Sequence, residues 1–78
     1  MMGFGALMRS IRAWRGMSQI ELAEKIGLHR QQTISEIENE KVLPTPELAE
    51  RIKQALDWDK ALEQMAIAPD QIILKRGK

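Results

Sequence analysis

The 78-residue chain contains no cysteine and no tyrosine, and its aromatics are two tryptophans and one phenylalanine. Without thiols there is no disulfide framework and no thiolate metal site. With a single histidine, His29, no histidine-rich zinc site can form either. The absence of cysteine fits a reducing compartment. No stretch approaches the roughly 18 apolar residues of a membrane span. The opening "MMGFGALM" has neither the basic start nor the cleavage pattern of a signal peptide, so a cytoplasmic protein is expected. Valine and threonine are scarce, and no run alternates apolar and polar residues for long, which argues against sheet. No nucleophile–base pair, phosphate-cradling glycine loop or metal cluster is present, so no enzyme activity and no cofactor are expected.

What remains is helix-forming: Ala, Leu, Glu, Lys, Gln and Arg dominate. Five helices are expected. The first spans about Phe4–Arg15, with Leu7, Ile11 and Trp14 on its inner face and Gly16 as a left-handed cap. The second opens on Ser18, because Ser18 and Glu21 form the S-x-x-E capping box. It buries Leu22, Ala23 and Ile26, and Gly27 ends it. The third covers about Arg30–Glu38 with Ile34 and Ile37 inside and Leu28 plugging the turn before it. Thr45 caps the fourth, with Pro46 at its first position, and Leu48, Ile52, Ala55 and Leu56 inward. Asp57 or Asp59 opens a last helix reaching about Ile67, which carries Ala61, Leu62 and Met65 and is stopped by Pro69. Residues 1–68 form one domain, and 69–78 a tail whose apolar trio Ile72–Leu74 precedes a basic end. The apolar residues Leu62, Met65, Ile67 and Ile72–Leu74 exceed what five small helices bury easily, which leaves core packing or a dimer seam. Trp14 and Trp58 read as packing anchors, His29 as a turn residue, and Arg9 and Arg15 as solvated or phosphate-binding.

Net charge is only +1, yet it is unevenly spread. Residues 1–30 hold five basic and two acidic side chains, whereas residues 31–60 hold four and seven. That division suits a molecule with one basic and one acidic face. On the third helix, residues spaced i, i+1, i+4, i+5 and i+8 share a side. These are Gln31, Gln32, Ser35, Glu36 and Asn39, opposite Ile34 and Ile37. Amides dominate where Lys–Glu pairs usually solvate a helix. A glutamine amide can bridge the N6 donor and N7 acceptor of adenine in the major groove. The alternative for this face is plain solvation.

The stretch "LMRSIRAWRGMSQIELAEKIG", continued by "QQTISEIENEK", resembles the helix-turn-helix family of the lambdoid phage repressors, Cro and the bacterial Xre-type regulators. Gln19, Leu22, Ala23 and Gly27 match its Gln–Leu–Ala–Gly framework, and Ile34, Ile37, Glu38 and Asn39 match its Ile–x–x–Ile–Glu–Asn segment. The resemblance implies an all-α, five-helix lambda-repressor-like domain. Such a domain binds a near-palindromic operator as a homodimer, with recognition helices about 34–36 Å apart. It implies base contacts from Gln31, Gln32, Ser35 and Glu36; Glu36 departs from the family in standing where the phage proteins can place another base-reading Gln, and either accepts from cytosine N4 or merely repels phosphate. It implies phosphate contacts from Ser18, Gln19, Arg30, Asn39 and Lys41, and a structural ion pair between Arg12 and Glu38. With no further domain attached, a small repressor is expected. An antitoxin of the same fold, bound to a toxin, is the alternative, motivated by the tail and the acidic middle. Two further departures stand out. Six residues, Leu28 to Thr33, separate Gly27 from Ile34 where the family usually has five. Glu40 also replaces a frequent glycine, so the left-handed residue there is either Asn39, or Glu40 at a cost of about 1 kcal/mol.

Overall fold

The computed structural model describes residues 3–65. They form five helices in the order α1 (Phe4–Trp14), α2 (Gln19–Lys25), α3 (Gln31–Glu38), α4 (Pro46–Leu56) and α5 (Trp58–Met65), with no strand among the described residues. The expected continuation to Ile67 and the tail 69–78 lie outside the described residues. None of these helices is long and apolar enough to cross a membrane.

One core collects the apolar stripes of all five helices. Leu7, Met8 and Ile11 from α1 meet Leu22 and Ala23 from α2, Ile34 and Ile37 from α3, Ile52 and Leu56 from α4, and Trp58 and Ala61 from α5. Leu28, Leu48, Ala55, Leu62 and Met65 pack against this centre while remaining partly exposed. Phe4 stacks on Trp58 with ring centroids 5.0 Å apart, within the range favoured by aromatic pairs. Trp58 is therefore an anchor, but Trp14 is not: it is 46% exposed. At about 100° per residue, Phe4, Leu7, Met8, Ile11 and residue 15 define the inner stripe of α1, and position 14 falls roughly 80° off its axis. The residue on the axis is Arg15. Its Nε donates to the Leu56 carbonyl at 2.6 Å and its Nη2 to the Asp57 carbonyl at 3.3 Å. Arg15 thus caps the C-terminus of α4, where carbonyls lack helical partners, rather than being solvated or free for phosphate. Its guanidinium also lies 5.1 Å from the Trp14 ring centroid.

Three successive helices end in the same way. Gly16 donates to the Ala13 carbonyl and Met17 to that of Arg12; Gly27 to Glu24 and Leu28 to Ala23; Glu40 to Ile37 and Lys41 to Glu36. Each is a Schellman closure with a left-handed residue just past the helix. Gly16 and Gly27 supply it at φ 71° and 80°, and the third position, Glu40, adopts φ 62°. Asn39, at φ −89°, does not. A left-handed L-residue costs roughly 1–2 kcal/mol.

An interaction with α1 offsets that cost. The N-cap of α1 is Gly3, which offers no side-chain cap. The Glu40 carboxylate takes its place, its Oε2 accepting from the Ala6 amide at 3.1 Å. The charge also sits favourably at the positive end of the helix. "Gly-Phe-Gly" leaves room for it. A Cβ on Gly3 or Gly5 would lie 2.8 or 2.9 Å from Glu40 Oε2. On Gly5 it would also collide with the Ile37 carbonyl and sit 3.0 Å from that of Glu38. Gly5 is therefore where the backbones of α1 and α3 approach most tightly.

The other helix starts are local. The Ser18 hydroxyl accepts from the Glu21 amide while the Glu21 carboxylate accepts from the Ser18 amide, at 3.0 and 2.8 Å. The Thr45 hydroxyl accepts from the Leu48 amide at 3.1 Å. Arg30 precedes α3 in an extended conformation with no side-chain cap, so α3 starts at Gln31, one residue later than its sequence indicates.

Two outcomes are expected in urea denaturation. Gly5→Ala should destabilise the domain by about 1–3 kcal/mol through overpacking, despite alanine's better helix propensity; an unchanged midpoint would contradict the close approach. Glu40→Ala keeps the left-handed strain and loses the cap, and should cost about 1–2 kcal/mol. Glu40→Gly loses the cap but relieves the strain, and should stay within about 1 kcal/mol of the parent.

Candidate nucleic-acid interface

Glu38 is the one buried charged residue among the described residues. It sits at the last turn of α3 and faces inward beside Ile34 and Ile37. Arg12 of α1 grips it with two donors: Nε to Oε2 at 2.6 Å and Nη2 to Oε1 at 3.1 Å. The remaining fork nitrogen, Nη1, donates to the Met17 carbonyl in the α1–α2 turn at 2.8 Å. Gln19 Nε2 donates to Glu38 Oε1 at 3.1 Å, and Arg9 Nε stands 4.0 Å from the same oxygen. One carboxylate therefore ties together α1, the turn after it, the first residue of α2 and the end of α3. A planar guanidinium suits this task because its donors fit a carboxylate bidentately. No buried side-chain N or O atom is left without a partner among the described residues.

With its inner side so held, α3 turns its other side outward. Gln31, Gln32 and Asn39 are exposed, and Ser35 and Glu36 half-buried, along one face. Two i,i+4 hydrogen bonds order that face. Gln32 Nε2 donates to Glu36 Oε2 at 3.4 Å, and Asn39 Nδ2 donates to Ser35 Oγ at 3.3 Å. Arg30 and Lys41 are exposed at its two ends. Arg9, one turn before Arg12 on α1, joins the C-terminal end, with Nη2 3.5 Å from Asn39 Oδ1 and a side chain 60% exposed. Its spacing of three from Arg12 was the available signal for this placement.

Gln19 and Ser18 are differently disposed. The Gln19 amide turns inward to Glu38, and the Ser18 hydroxyl oxygen is engaged by the capping box. The extra residue in the turn between α2 and α3 is accommodated before α3 begins. Leu28 is half-buried against the core, and His29 and Arg30 are exposed. The step from Gln31 to Ile34 and Glu38 is therefore an uninterrupted helix.

Two short helices, α2 and α3, thus pack across a glycine-closed turn, with the second presenting a polar face. A family model described as helix-turn-helix matches residues 8–58, well over half of the chain. The chain belongs to the helix-turn-helix family of the Xre and lambda-repressor type. No curated protein and no solved structure matches it significantly. Membership makes the chain a DNA-binding regulator of helix-turn-helix type. It also gives the Arg12–Glu38 pair its context, since that pair fixes the two helices of the motif relative to α1.

Arg12→Leu would leave the Glu38 carboxylate buried with one amide donor and a distant Arg9. Removing one partner of a buried pair costs about 3–5 kcal/mol, a large share of what so small a domain has. The variant is expected to be largely unfolded at 37 °C by circular dichroism. A loss below about 1 kcal/mol in urea would show that the pair does not hold the motif.

Proposed function

We propose that the protein is a sequence-specific transcriptional repressor that acts as a homodimer, inserting α3 into the major groove of a near-palindromic operator. The observation that carries this reading is the outer face of α3: amide and hydroxyl side chains aligned and exposed on a helix whose other side is clamped by Glu38. Helix-turn-helix proteins place this helix in a groove about 12 Å wide and read base edges with its side chains. In this assignment Gln31, Gln32, Ser35 and Glu36 face bases. Arg30, Asn39 and Lys41 flank them at the phosphates, with Ser18 and Gln19 at the start of α2. For Gln19 the contact uses the backbone amide or the amide carbonyl, since its Nε2 serves Glu38.

The dimer draws support from the apolar side chains next to α3. Leu43 is 83% exposed, and Val42 is also exposed. Two recognition helices one turn of DNA apart need such a contact close to the duplex. A cytoplasmic location follows from the DNA partner. The apolar exposure, together with the acidic residues Glu47 and Glu50 of α4, Asp57 just past it and Asp59 of α5, also favours a second reading: an antitoxin whose toxin covers these surfaces. Co-purification of a stoichiometric second polypeptide from the native host would favour that reading.

Selection of bound sequences from random DNA tests the first reading. Recovered sites should contain two half-sites with centres about 10 base pairs apart. Gln32→Ala should then lose about 1–3 kcal/mol on the selected site and relax a single base position. An equal loss on random DNA would rule out base reading by this residue.

A further inference from the structure

Gln32 is held from the side. Its Nε2 donates to Glu36 Oε2, one helical turn further on. Helical side chains lean toward the N-terminus, so a residue at i+4 lies over residue i. A carboxamide has two N–H donors and one carbonyl acceptor. With one N–H on the carboxylate, Gln32 can offer a base one donor and one acceptor. That pair matches adenine, with its N6 amino donor and N7 acceptor. It does not match guanine, whose N7 and O6 both accept. Guanine would need both N–H groups, so reading it would cost Gln32 its 3.4 Å bond to Glu36.

Glu36 adds a second effect. Its other oxygen, Oε1, can only accept. Against the amino group of cytosine or adenine it gains a hydrogen bond; against the acceptors of guanine it meets like partial charge. A carboxylate among phosphates also weakens binding to every sequence. Of the basic groups at the edges of the face, Arg9 bonds Asn39, and none of Arg9, Arg30 and Lys41 is hydrogen-bonded to the Glu36 carboxylate. Such a residue trades affinity for discrimination, because rejecting the wrong base improves specificity as much as gripping the right one.

We propose that Glu36 is a specificity-determining residue of the recognition helix and that it excludes guanine. It holds the Gln32 amide in the adenine-reading orientation and turns its own carboxylate against guanine's acceptor edge. This rests on the reading of α3 as the base-contacting helix. The test is a pair of selections from random DNA at one fixed salt concentration, using the full-length chain and its Glu36→Gln variant, followed by titration of the recovered sites and of random DNA. Glu36→Gln is isosteric and leaves the core untouched, so folding is preserved. The parent should recover sites with adenine at one position and guanine depleted there and at its neighbour. Glu36→Gln should bind random DNA more tightly and accept guanine at those positions, reducing the discrimination against guanine by about tenfold or more. If the variant recovers the same bases with undiminished discrimination, Glu36 has no such role, while base reading by α3 stands. If the parent recovers no preferred sequence at all, base reading by α3 fails, and the role of Glu36 with it.

Discussion

Everything that α3 presents to the outside depends on how one carboxylate is held inside. Glu38 is almost fully buried and engages Arg12 through two hydrogen bonds, with Gln19 adding a third. Ion pairs of this kind are poor sources of net stability, because desolvation consumes most of the attraction. Their merit here is geometric. A hydrophobic replacement could fill the same volume, but it would not set the rotation of α3 about its axis. The bidentate fork does, and one step of helical rotation is about 100°, enough to carry Gln32 or Ser35 away from the face they share. The pair is thus best understood as fixing orientation, with the hydrophobic core supplying the free energy.

The Glu40 contact completes that fixation. Arg12 holds the last turn of α3 from inside, and the Glu40 carboxylate, just past the same helix, caps the first turn of α1. The two contacts sit at opposite ends of α1, about two helical turns apart. Beside the first-turn contact, the glycine at position 5 lets the two backbones touch. The chain accepts a strained residue at position 40 because the same residue repairs an uncapped helix elsewhere. A glycine at position 40 would relieve the strain and leave α1 without its cap.

Much of this fold was legible because its signals are local. The capping box of Ser18 and Glu21, the cap at Thr45 with Pro46 behind it, and the glycine closures at Gly16 and Gly27 each involve residues within six positions of one another. The amide face of α3 followed from helical periodicity alone. What escaped was tertiary. Arg15 looked like a surface cation until the C-terminus of α4 was brought to it, 41 residues away in the chain. Nothing local to Gly5 signals the close approach it permits, and the cap on α1 comes from a residue 34 positions later. Trp14 failed for a different reason. Spacings of three and four were extended one step too far, past the point where the buried stripe had moved to position 15.

The charge distribution acquires a meaning once the side chains are placed. Of the acidic residues in the middle of the chain, Glu38 is neutralised by Arg12 and Glu40 is spent on the start of α1. The Arg12–Glu38 pair cancels one charge of each sign, and the exposed Glu40 carboxylate is directed to the start of α1 rather than to the face of α3. Glu36 alone remains as an acidic group on the outer face of α3, among Gln31, Gln32, Ser35 and Asn39. On a surface proposed to face DNA, a carboxylate without a cationic partner weakens binding to every sequence. It can be useful only if it separates one base from another, and its hydrogen bond to Gln32 gives it the means to do so.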